Sequence, residues 1–419
     1  MSKRRGFAAH AAAILLAAGV VACGFGTASA ATVGPVTDPI GVITIPKGAP
    51  IVIGAYWVLS GPDTALGLDE KRGAEIAIKD AGGTLLGHPV VLDAQDDQCN
   101  AEGGQTAATK LASTPNMVIV LGPGCSSAAT PGAPILWQQG LVNICTACTA
   151  PALTAADRKP EYDGFARTVF SDVDQAASDA DYLYKVAGYK TVVTVHDGSP
   201  YAQQLATVMG QDFEKLGGKV LSREAVAPTD VDMHPLLTRI ASEKPDVIYL
   251  PIFTAAAAQI IRQAKETPGL EKTALFGGAS LLSSDFIEAA GPAVVGFRIG
   301  YPDLSPAAMG KGYPDFVEKY KKDYGEGPIS GFHANAYDAA VLAMKAIQQV
   351  AKDDNGTLYI GKKALRDAVF SIKFDGISGP IASDPHGECA QFHGSVLEFT
   401  SADPKTFGIG KNPIKVWPK

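Results

Sequence analysis

A short polar segment, Gly124-Cys125-Ser126-Ser127, offers the strongest candidate chemistry in this sequence. It lies between an apolar run and a helical pattern, so it places free backbone N–H groups and the Ser126 hydroxyl at a helix N-terminus. Such an end attracts anions through its unpaired donors and its dipole, and a ligand carboxylate is the natural guest. The alternative is that Ser126 only caps its own helix.

Cysteines and histidines raise two other possibilities, redox exchange and metal binding. Cys145 and Cys148 form a C-x-x-C motif, but redox motifs of this kind open a helix in a thioredoxin unit, and the flanking sequence lacks that pattern. His386, Cys389 and His393 could complete a zinc site with that pair, because the ligand types fit. The Gly and Pro residues around them favour a polar hairpin loop instead, so we expect no metal and no cofactor.

Motifs that anchor catalysis on α/β frames are missing from the sequence. It has no G-x-x-x-x-G-K-[ST] loop, no G-x-G-x-x-G turn after its first strand and no G-x-S-x-G elbow. His196-Asp197 is the one pair that suggests an exported hydrolase, and its position favours a strand end followed by a turn. We therefore expect a binding protein and not an enzyme.

Composition limits the class of protein and its partners. The chain has 419 residues, of which 46% are hydrophobic and 19% charged, which is typical of a globular protein with two or three domains. The formal net charge is -7, and no basic cluster follows the first residues. Nucleic acid is therefore not an expected partner.

The N-terminus has the pattern of an export signal. Three basic residues at 3–5 precede an alanine-rich apolar stretch over 7–21, and small residues end at Ala30. The apolar stretch is too short for a stable membrane span. We expect cleavage after Ala30 and a periplasmic or otherwise extracytoplasmic protein; the alternative is a lipoprotein acylated at Cys23.

Apolar runs rich in β-branched residues alternate with helical patterns along most of the chain, at intervals of about 25 to 30 residues, the length of a strand–helix unit. This alternation predicts doubly wound α/β layers with parallel sheets. A loop-like stretch at 151–164 interrupts the rhythm, and a Gly-rich hairpin follows the last helical segments. The predicted strands lie at 51–53, 89–92, 117–120, 141–144, 191–195, 246–250 and 273–276.

An ordered series of segments resembles the bacterial leucine/isoleucine/valine-binding protein family, the solute receptors of ABC transporters. The resemblance implies the type I periplasmic binding fold, in which two doubly wound α/β lobes joined by three crossovers close on a ligand. The segments are Ile53-Gly54, Leu59-Ser60-Gly61-Pro62, Arg72-Gly73-Ala74-Glu75-Ile76-Ala77, Asp96-Asp97-Gln98-Cys99, Gly124-Cys125-Ser126-Ser127, Thr149-Ala150-Pro151-Ala152-Leu153-Thr154, Val195-His196-Asp197 with Tyr201, and Gln259-Ile260-Ile261-Arg262-Gln263-Ala264.

The resemblance and the interruption together predict an interleaved domain order. The predicted parts are an export signal at 1–30, a lead-in at 31–50, a first lobe at 51–170 plus 301–377, a second lobe at 171–300 plus 378–405, and a C-terminal tail at 406–419.

The family likeness also implies roles for individual residues. Ser126 and Thr149 match positions that contact a ligand carboxylate, Ala147 supplies a backbone group, and Tyr201 reaches over the ligand from the second lobe. Without the likeness, Thr149 would only begin a turn and Tyr201 would be an exposed first-turn residue.

Two more aromatic residues complete the expected site. Trp57 and Phe253 either line the cleft or pack within their own lobes.

One position departs from the family pattern. Amino-acid-binding relatives carry a glutamate that pairs with the ligand ammonium, and the matching residue here is Ala279. Burying an unpaired ammonium costs several kcal/mol. We therefore expect a carboxylate or polar neutral ligand that is not a standard branched-chain amino acid, unless Asp172 or Asp174 replaces the missing acid.

The resemblance implies a disulfide between Cys99 and Cys125, which fits an oxidising compartment. Cys389 is then expected to pair with Cys145 or Cys148 in a second disulfide. The predicted function is that of a monomeric receptor that delivers a small ligand to an ABC transporter permease; a ligand sensor with the same fold is the alternative.

Overall fold

The computed structural model describes residues 31–305, 308–408 and 410–418. The expected export signal at 1–30, with Cys23, lies outside these residues. None of the helices in the described ranges is long and apolar enough to cross a membrane.

Strands and helices alternate through most of the chain. The strands are β1 (Ala31–Val33), β2 (Val36–Asp38), β3 (Val42–Ile45), β4 (Ile51–Trp57), β5 (Thr84–Leu85), β6 (His88–Asp96), β7 (Met117–Leu121), β8 (Val142–Cys145), β9 (Phe165–Arg167), β10 (Thr191–His196), β11 (Lys219–Ala225), β12 (Val247–Leu250), β13 (Ala274–Gly277), β14 (Arg298–Pro302), β15 (Lys352–Asp354), β16 (Thr357–Gly361), β17 (Lys373–Asp375), β18 (Pro380–Ala382), β19 (Gly394–Glu398) and β20 (Ile414–Trp417). The α-helices are α1 (Thr64–Asp80), α2 (Ala101–Ser113), α3 (Ser126–Gln138), α4 (Asp172–Asp181), α5 (Pro200–Lys215), α6 (His234–Glu243), α7 (Thr254–Ala264), α8 (Ser284–Ala290), α9 (Tyr313–Tyr324), α10 (His333–Val350) and α11 (Lys362–Ser371).

The first lobe is built on a six-stranded sheet in the order β5-β6-β4-β7-β8-β9. All neighbours from β6 to β9 are parallel, and β5 pairs antiparallel with β6. Every residue of β4 and β7 is buried. Burial on both faces explains why these strands are continuous apolar runs in the sequence.

The second lobe has a seven-stranded sheet in the order β11-β10-β12-β13-β14-β19-β20. The first five strands are parallel, whereas β19 and β20 are antiparallel to their neighbours. The last two strands come from the end of the chain, so the second lobe is completed only after the first lobe has been revisited.

Three connections carry the chain between the lobes, and their described residues are 168–171 after β9, 303–305 with 308–312 after β14, and 390–393 before β19. Because the strands within each parallel sheet run in one direction, the loops that follow them gather at one edge. The loops after β4, β7 and β8 in the first lobe therefore face those after β10, β12 and β13 in the second.

Two of the predicted domain boundaries need correction. Residues 378–390 belong with the first lobe, because β18 pairs with β17 and the Cys389 N–H donates to the Arg167 carbonyl at 3.1 Å. The predicted tail at 406–419 is also wrong in part, because β20 forms the edge of the second sheet through pairing with β19. Both assignments depend on the pairing of short segments, which the sequence does not mark.

The predicted lead-in at 31–50 also carries structure. β3 pairs antiparallel with β16 in a small sheet with β15, and Ile45 is fully buried in the first-lobe core. The end of the lead-in is thus part of the first lobe.

Trp417 provides a test of the corrected C-terminus. Its half-buried ring packs on Tyr182, with ring centroids 5.7 Å apart. We expect Trp417→Ala to lower the free energy of unfolding by about 2 kcal/mol in urea titrations, because contact between large aromatic rings is lost. The exposed Ile414 on the same strand is the control, and Ile414→Ala should change stability by less than about 0.5 kcal/mol. Equal effects of the two substitutions would contradict the assignment.

Candidate functional site

A cavity of about 20 Å³ lies between the lobes, where the strand-end loops meet. This volume is room for one or two water-sized groups, so the lobes are tightly closed. Larger cavities of about 660 and 480 Å³ open elsewhere, and none of the residues expected to bind ligand lines either. The interlobe cavity is lined by Leu66, Gly124, Cys125, Ser126, Ala147, Thr149, Tyr201, Phe253, Ala279, Ser280 and Phe332.

The start of α3 forms the polar end of this cavity. Ser126 is the first residue of the helix, and Cys125, at the N-cap position, makes no side-chain capping bond. The Ser126 Oγ accepts a hydrogen bond from the Ala150 N–H at 3.2 Å, so its own hydrogen remains available to donate. Ser126 is therefore not an N-cap residue, and its hydroxyl joins the orphan N–H groups of the first helical turn. This arrangement is suited to an anion.

The loop after β8 brings Ala147 and Thr149 to the same cavity. Arg167, which is fully buried, holds this loop by donating from Nη1 to the carbonyls of Cys148 at 3.2 Å and Ala150 at 3.1 Å. Glu388 pairs with the same guanidinium, its Oε2 accepting from Nε at 2.8 Å. The loop after β8 is thus tied to the segment that precedes the third connection between the lobes, at 390–393.

A second network supports both loops from behind. The Thr146 hydroxyl donates to Glu70 Oε2, and Trp57 Nε1 donates to Thr146 Oγ1 at 3.0 Å. Burial raises the pKa of Glu70 well above its ordinary value. A Cβ at Gly124 would lie 2.3 Å from Glu70 Oε1, so this close approach requires glycine.

Trp57 therefore does not line the cavity. Its ring is fully buried in the first-lobe core, where its indole N–H is satisfied by Thr146. Trp57 was expected either to line the cleft or to pack within its own lobe, and the structure shows that it packs within its own lobe.

Residues of the second lobe form the opposite wall. Tyr201 lies near the start of α5 with 5% of its surface exposed, which rules out an exposed first-turn position. Its hydroxyl donates to Ser280 Oγ at 3.3 Å, and its ring packs on Phe253 with centroids 5.5 Å apart. A Cβ at Gly278 would lie 2.4 Å from the Tyr201 hydroxyl, so glycine leaves the space that Tyr201 occupies.

None of the described residues that line the cavity is acidic, and Ala279, which is expected to replace the glutamate of amino-acid-binding relatives, is one of these lining residues. Asp172, at the start of α4, is fully buried beside Thr149, and neither of its carboxylate oxygens has a hydrogen-bond partner among the described residues. Burial raises its pKa to about 7, although the Thr149 hydroxyl and the Arg167 guanidinium act in the opposite direction.

Asp174 was expected to be a ligand-binding residue, and the structure places it outside the cavity. It follows Asp172 by two residues on α4 and its side chain is exposed, outside the cavity lining. Residues two apart on a helix point to different sides. Of the two aspartates, only Asp172 is buried beside the cavity-lining Thr149.

The cysteines pair differently from one of the expectations. Cys99 and Cys125 form the disulfide implied by the family likeness, with Cα atoms 5.2 Å apart. The expected pairing of Cys389 with Cys145 or Cys148 is wrong, because Cys145 and Cys148 pair with each other across a tight turn, with Cα atoms 6.0 Å apart. The free thiol of Cys389 is buried in the first-lobe core.

A zinc site and a hydrolase site find no support in side-chain geometry. Within residues 31–305, 308–408 and 410–418, no group of three or more His, Cys, Asp or Glu is placed to hold a metal ion. Asp197 accepts hydrogen bonds from the N–H groups of Ser199 at 3.0 Å and Phe253 at 3.3 Å, and His196 Nδ1 accepts from Gly198 at 3.2 Å. The His196-Asp197 pair organises a strand end and the following loop.

Sequence reasoning missed several lining residues. Leu66 comes from the first turn of α1 and Phe332 from the turn before α10, and neither carries a motif that marks it. Ser280 directly follows Ala279, so its position next to an expected site residue could have identified it as a lining residue.

The buried carboxyl of Asp172 predicts a pH-dependent stability. Because its pKa in the folded protein lies above the value in the unfolded chain, its contribution is present below pH 4 and is lost as pH rises through about 7. We expect Asp172→Asn to reduce the loss of unfolding free energy between pH 5 and pH 8 by about 1–3 kcal/mol. Asp181→Asn, on the same helix and with a side chain that is 47% exposed, is the matched control in urea titrations and should keep the wild-type slope. Identical slopes for the two variants would contradict the prediction.

Known proteins with similar sequences extend over most of this chain. A family model described as "Periplasmic binding protein" matches residues 50–395. The Leu/Ile/Val-binding protein of Citrobacter freundii is 28% identical over 364 residues, which are 85% of this chain and 93% of that protein.

Two solved structures are similar to the whole fold. The leucine binding protein LivK of Thermotoga maritima MSB8 has a TM-score of 0.75 at 26% identity, covering 84% of this chain and 96% of its own. A solute binding protein of an ABC transporter from R. palustris, in complex with benzoate, has a TM-score of 0.70 at 23% identity, covering 88% and 95%. The predicted two-lobe α/β fold is thereby confirmed.

Proposed function

The chain belongs to the periplasmic binding protein family, and on that premise we propose that it is an extracytoplasmic receptor that closes on a small carboxylate and delivers it to an ABC transporter permease. One observation carries the ligand class: the cavity joins the donor-rich start of α3 to walls without an acidic residue. A carboxylate is stabilised by such donors. An ammonium group would find no anion in the lining.

The walls of the cavity suit the body of such a ligand, although the closed lobes leave only about 20 Å³ between them and must part to admit it. Leu66, Phe253 and Phe332 supply apolar surface, while Tyr201 and Ser280 add hydroxyl groups on the second-lobe side. A ligand that contacts both walls binds the closed form better than the open form, and closure follows from this difference in affinity. The R. palustris relative was solved with benzoate, so the fold takes a carboxylate without an α-amine.

An amino acid is the second candidate, and Asp172 favours it. Its two unpaired, buried oxygens lie beside Thr149, where an ammonium group would provide a partner and hold the carboxyl ionised. The LivK and Leu/Ile/Val-binding relatives are consistent with this candidate.

The partner and the location are proposed on the same basis. Matches to ABC transporter receptors support a permease as the partner and a site of action outside the cytoplasm. We also propose that the receptor acts as a monomer. A sensor would instead report to a membrane kinase, and a neighbouring permease or kinase gene distinguishes the two roles.

A matched pair of compounds tests the ligand class. Leucine and 4-methyl-2-oxopentanoate share a skeleton and a carboxylate but differ in the α-amine. We expect the oxo acid to stabilise the protein in thermal-shift measurements, by about 2.7 kcal/mol at 100 times its Kd, and leucine to give no shift. Leucine binding at micromolar affinity or better in calorimetry would refute the preference, and loss of that binding in Asp172→Asn would establish the amino-acid candidate.

The role of the α3 start has its own test. Ser126→Ala removes the free hydroxyl donor, and we expect it to weaken carboxylate binding about 10- to 100-fold, since a hydrogen bond to a charged group is lost. Ser127→Ala is the control, because the Ser127 hydroxyl donates to the Cys99 carbonyl at 2.6 Å and does not line the cavity. Calorimetry should show the control within about twofold of wild type. Equal affinities for both variants would exclude Ser126 from the site.

A further inference from the structure

Two carboxylates cross the closed cleft, and each reaches the N-terminus of a helix in the opposite lobe. Asp63 of the first lobe accepts a hydrogen bond from the Thr254 N–H at 3.1 Å, and Thr254 begins α7. Asp285 of the second lobe accepts from the Ala65 N–H at 2.8 Å, in the first turn of α1. The two bonds run in opposite directions across the same cleft.

Neither helix start is capped from within its own lobe. The N-cap positions of α1 and α7 are Asp63 and Phe253, and neither makes a side-chain capping bond to its own helix. The Phe253 N–H is taken by Asp197, which leaves the Thr254 N–H for the other lobe. Each lobe therefore completes a helix start that the other lobe leaves open.

These contacts are dry at their centre. Asp63, Ala65 and Thr254 expose 7%, 3% and 1% of their surfaces. The hydrogen bond and the helix dipole favour a carboxylate at a helix N-terminus, whereas burial opposes its charge and raises the pKa of Asp63 to about 6. A third bond between the lobes, which is exposed and has a neutral acceptor, joins the Ala152 N–H to Gln204 Oε1 at 2.9 Å.

None of the acceptors in these bonds lines the ligand cavity. Each of the three bonds joins residues of different lobes, so a movement that separates the lobes must break it. The contribution of these residues is therefore specific to the closed form, unlike that of residues that stabilise one lobe in both forms.

We propose that Asp63 and Asp285 are positioning residues for closure, which stabilise the closed form through reciprocal capping and so raise ligand affinity without contact with the ligand. The inference rests on the proposed function only in that closure is the binding movement. A protein in which a larger fraction of molecules is closed loses less of the intrinsic affinity for its ligand.

The main test needs no ligand. The double variant Asp63→Ala/Asp285→Ala should show a larger radius of gyration in small-angle X-ray scattering than the full wild-type chain. Hydrogen exchange should become faster at the Ala65 and Thr254 amides, while the thermal unfolding midpoint of the protein stays close to that of wild type. An unchanged radius with unchanged exchange at both amides would overturn the proposal.

Two further variants separate capping from general effects of substitution. Asp63→Asn/Asp285→Asn keeps an acceptor oxygen at each position and should restore slow exchange at both amides. Asp315→Ala removes an exposed acid from the first turn of α9 and should leave radius and exchange as in wild type. Fast exchange in the asparagine variant, or an open Asp315→Ala variant, would show that hydrogen-bond acceptance is not the cause.

A ligand arm links the contacts to affinity. With 4-methyl-2-oxopentanoate as the probe, calorimetry should show binding to the alanine double variant weakened about tenfold, and unchanged affinity would refute the link. If no carboxylate binds the wild-type protein, the proposed function fails, whereas scattering and exchange still decide whether Asp63 and Asp285 hold the lobes closed.

Discussion

The unpaired N–H groups at the start of α3 are the feature on which the rest of the site depends. Buried backbone donors need a partner, and a helix N-terminus between two lobes has none within its own chain segment. The Cys99–Cys125 disulfide holds the residue before this turn, and Gly124 allows Glu70 to approach from behind. These supports keep the donors aimed at the cleft, where a ligand or water must satisfy them.

Charge is distributed unevenly around the cavity, and this distribution separates the two candidate ligands. Donors converge at Ser126, while Asp172, whose buried carboxylate oxygens have no partner among the described residues, lies beside Thr149 and not in the lining itself. At its raised pKa this carboxyl is partly protonated near neutral pH and can remain neutral without a cationic partner. The pocket is therefore compatible with a ligand that lacks an amine, and Asp172 supplies an unpaired carboxyl beside the cavity-lining Thr149.

Much of the fold could be predicted because burial on both faces of β4, β7 and β12 leaves long apolar runs in the sequence. Ser126 was placed by the helix pattern that follows it, and Thr149 and Tyr201 by family likeness. Trp57 could not be placed in the same way, because an aromatic residue at a strand end has the same pattern whether it faces the cleft or the core.

Long-range contacts account for the other errors. The strand β20 is short and largely exposed, so only its pairing with β19 identifies it as part of the sheet. Spacing alone does not show which of three cysteines approach each other, and the position of Cys389 follows from the Arg167 strand beside it. Leu66 and Phe332 reach the cavity from segments about 270 residues apart, a proximity that local patterns do not encode.

The Cys99–Cys125 bond ties the start of α3 to the loop after β6, and this has a consequence for where the protein matures. In a reducing compartment such bonds do not persist, so the loop that carries Cys125 and Ser126 would lack its covalent anchor. Oxidation after export would then remove much of the freedom of the unfolded segment between the two cysteines. A receptor built in this way gains its fully ordered recognition surface on the side of the membrane where its solute is found.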